Sequence, residues 1–370
     1  MSSIKLISVV GARPQFVKAA VLSRAIKAFN RQSKKLFLED IIIHTGQHFD
    51  DNMNKVFFEE MSITEPKYNL NISSLSHGAM TGRMIEEIEK VLIKEGPAVV
   101  VLYGDTNSTL AGAIAAKKLL YKIVHIEAGL RSFNMIMPEE QNRILVDRIS
   151  DVLFCPNKES FLTLKKENIE NSPYKQKCHI VGDVMYDASL FYLKKALKNS
   201  DILKKLNAEK GFVLLTLHRQ ENTDDPEILK SLLESVNEIG IEKKVIFPVH
   251  PRTKKKIQQI SVNTENIEMI DPVSYFDMIL LEKNCDFIMT DSGGVQKEAY
   301  FFGKPCITLR NETEWKELVK AGINFIAGNH RKKILSVFRR LKSKKDFNFK
   351  TRFYGDGTAG EKIVEIIAKL

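Results

Sequence analysis

The sequence predicts an α/β protein of two Rossmann-like domains with a cleft between them, and three observations predict it. The 370 residues exceed what one hydrophobic core usually organises. Short β-branched runs alternate with amphipathic segments of three-to-four spacing, the pattern of parallel strands covered by helices. That alternation begins again after Gly182-Asp183, so the first domain is expected over 1–182 and the second over 183–355.

Taken in order, strands are predicted at 4–10, 40–44, 99–103, 123–126, 152–155 and 179–181. Helices are predicted between them at 16–29, 81–94, 109–120, 140–149 and 158–168. The second series of strands falls at 212–217, 245–249, 267–270, 287–290 and 306–309, each followed by a helical segment. A glycine-rich stretch (Gly355, Gly357, Gly360) precedes a last amphipathic segment, and 356–370 is expected to pack back on the first domain. In such sheets ligands bind beyond the carboxyl ends of the strands, so the informative residues belong in the turns that follow strands.

Composition narrows the function classes. The chain is 44% hydrophobic and 28% charged and has no apolar run of membrane-spanning length, so a soluble, cytoplasmic protein is expected. The apolar N-terminal run flows into a glycine turn and reads as a first core strand. Cys155, Cys178, Cys285 and Cys306 form neither a metal knuckle nor a dense disulfide framework and read as small buried hydrophobes. The net charge of +10 suits an anionic partner, but Lys254-Lys255-Lys256 and the 342–345 stretch lack interleaved aromatics and read as solvated helix faces. No nucleic acid and no membrane is expected as a partner.

The post-strand turns carry the chemistry. Gly11-Ala12-Arg13-Pro14-Gln15, before a helix expected near Phe16 with Lys18 in its first turn, offers amides and cations as a phosphate cradle. A simple turn with a surface arginine explains it equally. Asp291-Ser292-Gly293-Gly294, with Glu298 one turn on, is the stronger phosphate signal: two glycines let amides approach an anion, and Glu298 is placed to accept ribose hydroxyls. The Gly11 turn is not a GxGxxG fingerprint, so a nicotinamide cofactor finds no support.

Asp105 and Glu127 each follow a strand, and Glu139-Glu140 opens a helix, so carboxylates gather where one acts as acid and another as base. Each taken alone also suits capping or salt bridging. His218-Arg219 after an apolar strand favours anion binding or proton handling. Gln47-His48 and His250 also end strands, and no His and Cys spacing makes a zinc site.

Together these motifs resemble the non-hydrolysing UDP-N-acetylglucosamine 2-epimerase family over nearly the whole chain. Tyr103-Gly104-Asp105-Thr106, Glu127-Ala128-Gly129-Leu130-Arg131, Pro138-Glu139-Glu140, His218-Arg219-Gln220-Glu221-Asn222 and Asp291-Ser292-Gly293-Gly294 occur in the family's order. The resemblance implies the glycosyltransferase-B fold, a UDP-sugar as partner, a homodimer and no cofactor. It implies anti elimination of UDP to a 2-acetamidoglucal and return of UDP with the proton on the opposite face of C2. By the same resemblance Asp105, Glu127, Glu139 and His218 are catalytic. Arg13, Lys18, Arg143, Arg219, Asn222, His250, Ser292, Gly293, Gly294, Glu298 and Arg310 bind substrate or UDP.

Two departures refine this. The loop after Arg131 is a short Ser-Phe-Asn-Met-Ile-Met, and the family's Glu-Arg-Pro-Glu is Glu314-Trp315-Lys316-Glu317. The chain therefore looks most like the subgroup acting on UDP-2,3-diacetamido-2,3-dideoxyglucuronic acid, which supplies the mannuronic form for bacterial surface polysaccharide. The plain N-acetylglucosamine epimerase, a UDP-sugar glycosyltransferase of the same fold, a hydrolysing epimerase and a nucleotide-sugar sensor are the rival readings. The gathered carboxylates weigh against the transferase and the sensor.

Overall fold

A computed structural model describes residues 2–47, 63–208, 211–344 and 346–370. His48 lies outside the described residues. The chain divides into two compact units, 1–188 with 353–370 and 189–352. The division falls inside the helix Val184–Asn199 rather than in a loop.

In the first unit the described strands are β1 (Ser2–Val10), β2 (Leu36–His44), β3 (Tyr68–Asn69), β4 (Val99–Tyr103), β5 (Lys122–Ile126), β6 (Val152–Cys155) and β7 (Lys177–Ile180). They form one sheet ordered β3-β2-β1-β4-β5-β6-β7 with parallel pairing throughout. All five residues of β4, Val-Val-Val-Leu-Tyr, are buried, as a strand covered by helices on both faces requires. Ile7, Val9, Val100 and Leu102 pack on Met84, Ile88, Ala111 and Ala115 from the helices His77–Glu95 and Asn107–Lys118. The helix Ala359–Ile367 belongs to this unit. Gly360 lies so close to the helix Arg13–Gln32 that an added Cβ would come within 2.7 Å of Val21.

The second unit holds β8 (Val213–Thr216), β9 (Val245–Pro248), β10 (Ile267–Ile270), β11 (Phe287–Thr290), β12 (Cys306–Thr308) and β13 (Asn324–Ile326). Their order is β10-β9-β8-β11-β12-β13, again parallel. One core face joins Leu215, Phe247 and Met289 to Leu232, Val236 and Phe338, and the other joins Leu214, Ile246 and Ile288 to Leu281 and Ala299.

Strand order reverses between β1 and β4 and between β8 and β11. At those reversals the connections leave to opposite faces, and a crevice opens beyond the strand ends. The turns after β1, β4, β8 and β11 carry Gly11, Asp105, His218 and Ser292. The edge strands β3 and β13 were not expected from the sequence.

Candidate active site

In the first unit the glycine turn after β1 is closed. The amides of Gly11 and Ala12 both donate to Gln15 Oε1, at 2.8 and 3.1 Å, and Gln15 Nε2 donates onward to Tyr103 O at 2.8 Å. The helix starts at Arg13, with Pro14 in its first turn, rather than near Phe16. Lys18 therefore lies in the second turn. The amides of Gly11 and Ala12, two of the donors a phosphate cradle would use there, are thus already taken by the helix's own side chain. Gly11 is needed for close approach instead: a Cβ would fall 2.1 Å from Ser108 Oγ and 2.3 Å from Thr45 Oγ1. Arg13, at the helix start, is exposed.

The acids after β4 and β5 are each matched by a cation. Lys18 pairs with Glu127, both about one-tenth exposed at 11%. Arg143, from the helix Pro138–Ile149, reaches Asp105 Oδ2 with Nε at 2.9 Å and Nη2 at 2.6 Å. Its third contact is Glu140 Oε2 at 2.8 Å. Burial works against the Arg143 charge, but Asp105 and Glu140 outweigh it and hold the guanidinium more firmly protonated than usual.

Glu140 is buried. That alone would raise its carboxyl, but the amides of Ser132 and Phe133 and the Arg143 fork bring it below the usual range. Those amide bonds, at 2.8 and 2.9 Å, fasten the loop after Arg131 to the helix start. Glu139, its neighbour, is exposed and stands outside these ion pairs. The two acid turns touch: a Cβ on Gly104 would be 3.3 Å from both Glu127 Oε2 and Lys18 Nζ.

In the second unit Asp291 organises the turn after β8. It is fully buried and accepts the amides of His218 at 3.1 Å and Arg219 at 2.9 Å, and Asn222 Nδ2 at 3.2 Å. His218 Nδ1 lies 3.3 Å from Asp291 Oδ1, which turns Nε2 of the half-exposed ring outward. Ser292 caps the helix Gly293–Phe301 by accepting Val295 N, while Gly293 and Gly294 occupy its first two positions, where amides have no intrahelical partner. Trp315 Nε1 braces this turn by donating to Gly293 O at 2.8 Å, and Lys297 stacks 4.4 Å above the indole. Glu298 is half-buried one turn in.

Arg310 is buried, and its two terminal nitrogens meet Glu314 at 3.2 Å each, so a carboxylate already occupies the fork expected to bind substrate. His250 is exposed and caps its own helix by accepting Arg252 N at 3.2 Å. The structure therefore brings Asp105 to Arg143, Glu127 to Lys18, and His218, Arg219 and Asn222 to Asp291. Glu139 and His250 are exposed and take no part in those pairs. Gln15, Glu140 and Asp291 were missed as organisers: the partners of Asp291 lie about 70 positions away, whereas Gln15 and Glu140 act on near neighbours, and for Gln15 the capping-box spacing from Ala12 was the local signal. Among the described residues no group of His, Cys, Asp or Glu is arranged to hold a metal ion. No helix among them is long and apolar enough to cross a membrane.

Comparisons with known proteins point one way. Residues 30–368 match the family model described as UDP-N-acetylglucosamine 2-epimerase. The chain is 50% identical to the UDP-2,3-diacetamido-2,3-dideoxy-D-glucuronate 2-epimerase of Pseudomonas aeruginosa, with 99% of this chain and 100% of that protein covered. It is 47% identical to a UDP-N-acetylglucosamine 2-epimerase homolog of Methanococcus maripaludis, over 99% of this chain and 100% of that one. The crystal structure of the Methanocaldococcus jannaschii UDP-GlcNAc 2-epimerase in complex with UDP-GlcNAc and UDP superposes with a TM-score of 0.85 at 42% identity, covering 100% of both chains.

Proposed function

This chain belongs to the UDP-N-acetylglucosamine 2-epimerase family, and from that premise we propose that it inverts C2 of UDP-2,3-diacetamido-2,3-dideoxy-D-glucuronate. The two acids at neighbouring strand ends, each matched to its own cation, carry the reaction, and the relative that is half identical from end to end carries the substrate.

In the first step one carboxylate takes the C2 proton while the C1 to oxygen bond breaks. The C2–H electron pair becomes the C1=C2 bond, and UDP leaves with the pair from the broken C–O bond. In the second step the proton returns to the other face of C2 and a UDP oxygen closes on C1. The C2 hydrogen is not adjacent to a carbonyl, so stabilising departing UDP matters more than basicity.

That division suits the two clusters. Asp105 and Glu127, paired with Arg143 and Lys18, are the candidates for proton carriers, and Glu139 is a third on resemblance alone. His218, with Nε2 turned outward, and the amides of Gly293 and Gly294 are suited to a diphosphate, and Ser292 and Glu298 to the remaining nucleotide contacts. Arg310 would take part only by exchanging Glu314 for the ligand.

The homodimer is carried over from the resemblance, and sedimentation would check it. A cytoplasmic location is supported by four free thiols, three of them buried. We also place the product as a supply for surface polysaccharide, a role that deleting the gene and analysing the polysaccharide would test.

The substrate is tested by comparing kcat/KM for UDP-2,3-diacetamido-2,3-dideoxy-D-glucuronate and UDP-N-acetylglucosamine. The proposal expects the first to exceed the second by roughly 100-fold or more, the size of one charged contact plus one amide contact. Equal turnover of the two would move the chain to the plain N-acetylglucosamine epimerases, the reading that the Methanocaldococcus likeness favours.

A further inference from the structure

His125, in β5, has no exposed surface, and its ring bridges two oxygens. Nδ1 is 2.7 Å from Asp147 Oδ1, and Nε2 is 2.7 Å from Gly104 O. A backbone carbonyl can only accept, so Nε2 carries a proton. Asp147 behaves as an acceptor too, since its other oxygen takes Gly129 N at 3.1 Å and Arg131 Nη1 at 2.8 Å. Burial pushes the Asp147 carboxyl up, but His125 and Arg131 outweigh it and hold the group ionised. Nδ1 therefore donates as well.

The cluster is electrically closed. Arg131 also meets Glu167 through Nε and Nη2, at 2.8 Å each, so His125 and Arg131 balance Asp147 and Glu167.

The bonds tie the two acid turns together. Gly104 donates its amide to Ile126 O at 3.0 Å and accepts His125 on its carbonyl, so both faces of that residue are held to β5. Asp105 is the next residue. Glu127 is two beyond His125, with φ +72°, in the left-handed region that a non-glycine residue rarely adopts. Asp147 secures the far side of that turn through Gly129 N.

We infer that His125 is a positioning residue: a doubly protonated buried imidazole that clamps the turn after β4 to the turn after β5 and so fixes Asp105 against Glu127. The inference rests on the reading of those two acids as proton carriers. His125 touches neither carboxylate, and its effect runs through the backbone.

An asparagine amide nitrogen reaches about where Nδ1 lies, and a glutamine amide about where Nε2 lies. His125→Gln therefore keeps the bond to Gly104, and His125→Asn keeps only the bond to Asp147. The expected result is that His125→Asn lowers kcat roughly 10- to 100-fold, as a sub-ångström misplacement does, with KM and UDP affinity within threefold. His125→Gln is expected to recover most of kcat.

Wild-type kcat in His125→Asn, or kcat and UDP affinity falling together in both variants, would overturn the inference. A second measurement needs no variant. In ¹⁵N-histidine-labelled wild-type protein one buried ring should show two slowly exchanging N–H protons, and finding no such ring would equally overturn it. Failure of the underlying reading is seen separately, as a wild-type enzyme that puts no deuterium from solvent into C2 of its UDP-sugar.

Discussion

Two glycine turns, alike in sequence terms, behave differently in the structure. The turn after β1 and the turn after β11 both follow a buried parallel strand and both open a helix. In the first, Gln15 folds back and takes the amides of Gly11 and Ala12. In the second, Ser292 takes only Val295 N, and the amides of Gly293 and Gly294 stay available. An anion cradle is therefore defined less by its glycines than by whether a nearby side chain has already used the donors. The first unit spends its polar groups on arranging acids and cations, and the second spends them on presenting a turn.

If that division is right, substitutions in the two units should fail in different ways. The largest effect is expected from Asp105→Asn and Glu127→Gln, each lowering turnover by roughly 10²- to 10⁴-fold with UDP affinity within twofold. Near-normal rates in either would remove that acid from the chemistry, and calorimetry with UDP checks the second half.

Asp291→Ala should weaken UDP binding about 100-fold and cost about 2 kcal/mol in denaturant unfolding, since it leaves the half-buried amides of His218 and Arg219 without their acceptor and removes one of the two acceptors of Asn222 Nδ2. Gln15→Ala sharpens the contrast. It should cost about 2 kcal/mol of stability by orphaning Gly11 N and Ala12 N, yet leave UDP affinity alone. A loss of UDP affinity as large as that of Asp291→Ala would mean both turns bind phosphate.

Asp187, outside both turns, isolates a pH effect in the first unit. Burial raises its carboxyl to about 6 although Gly360 N donates to it at 2.8 Å. A carboxyl raised on folding is at no disadvantage below the unfolded value, near 4, and destabilises increasingly as pH rises to about 6. Asp187→Asn should therefore add about 1–3 kcal/mol at pH 7 and almost nothing at pH 4, by thermal denaturation at each pH. The smallest change expected is in Ser292→Ala, about three- to tenfold in UDP affinity with kcat unchanged, for the loss of one hydroxyl at the cap.

Much of this was legible in the chain. The strands at 267–270 and 287–290 match β10 and β11 residue for residue, because turn residues bound their β-branched runs. The edge strands escaped notice: β3 has two residues and β13 three, too few for a period to show. The first helix begins at Arg13, three residues before the start its apolar spacing indicates, because proline is favoured in a first helical turn.

At the site, the sequence carried Asp105, Glu127 and the Ser292 turn through their place after strands. It did not carry their partners. Asp147 joins His125 across 22 positions and Asp291 joins Asn222 across 69, and no local pattern encodes such a pairing. Nor did it signal that Glu140, not Glu139, would turn inward to Arg143, since both open the same helix.

The most direct test of the central claim is proton NMR of the enzyme with UDP-2,3-diacetamido-2,3-dideoxy-D-glucuronate in deuterated water. The account predicts a manno product with deuterium at C2 and no net release of UDP. A product retaining its C2 proton, or free UDP accumulating with the sugar, would contradict it.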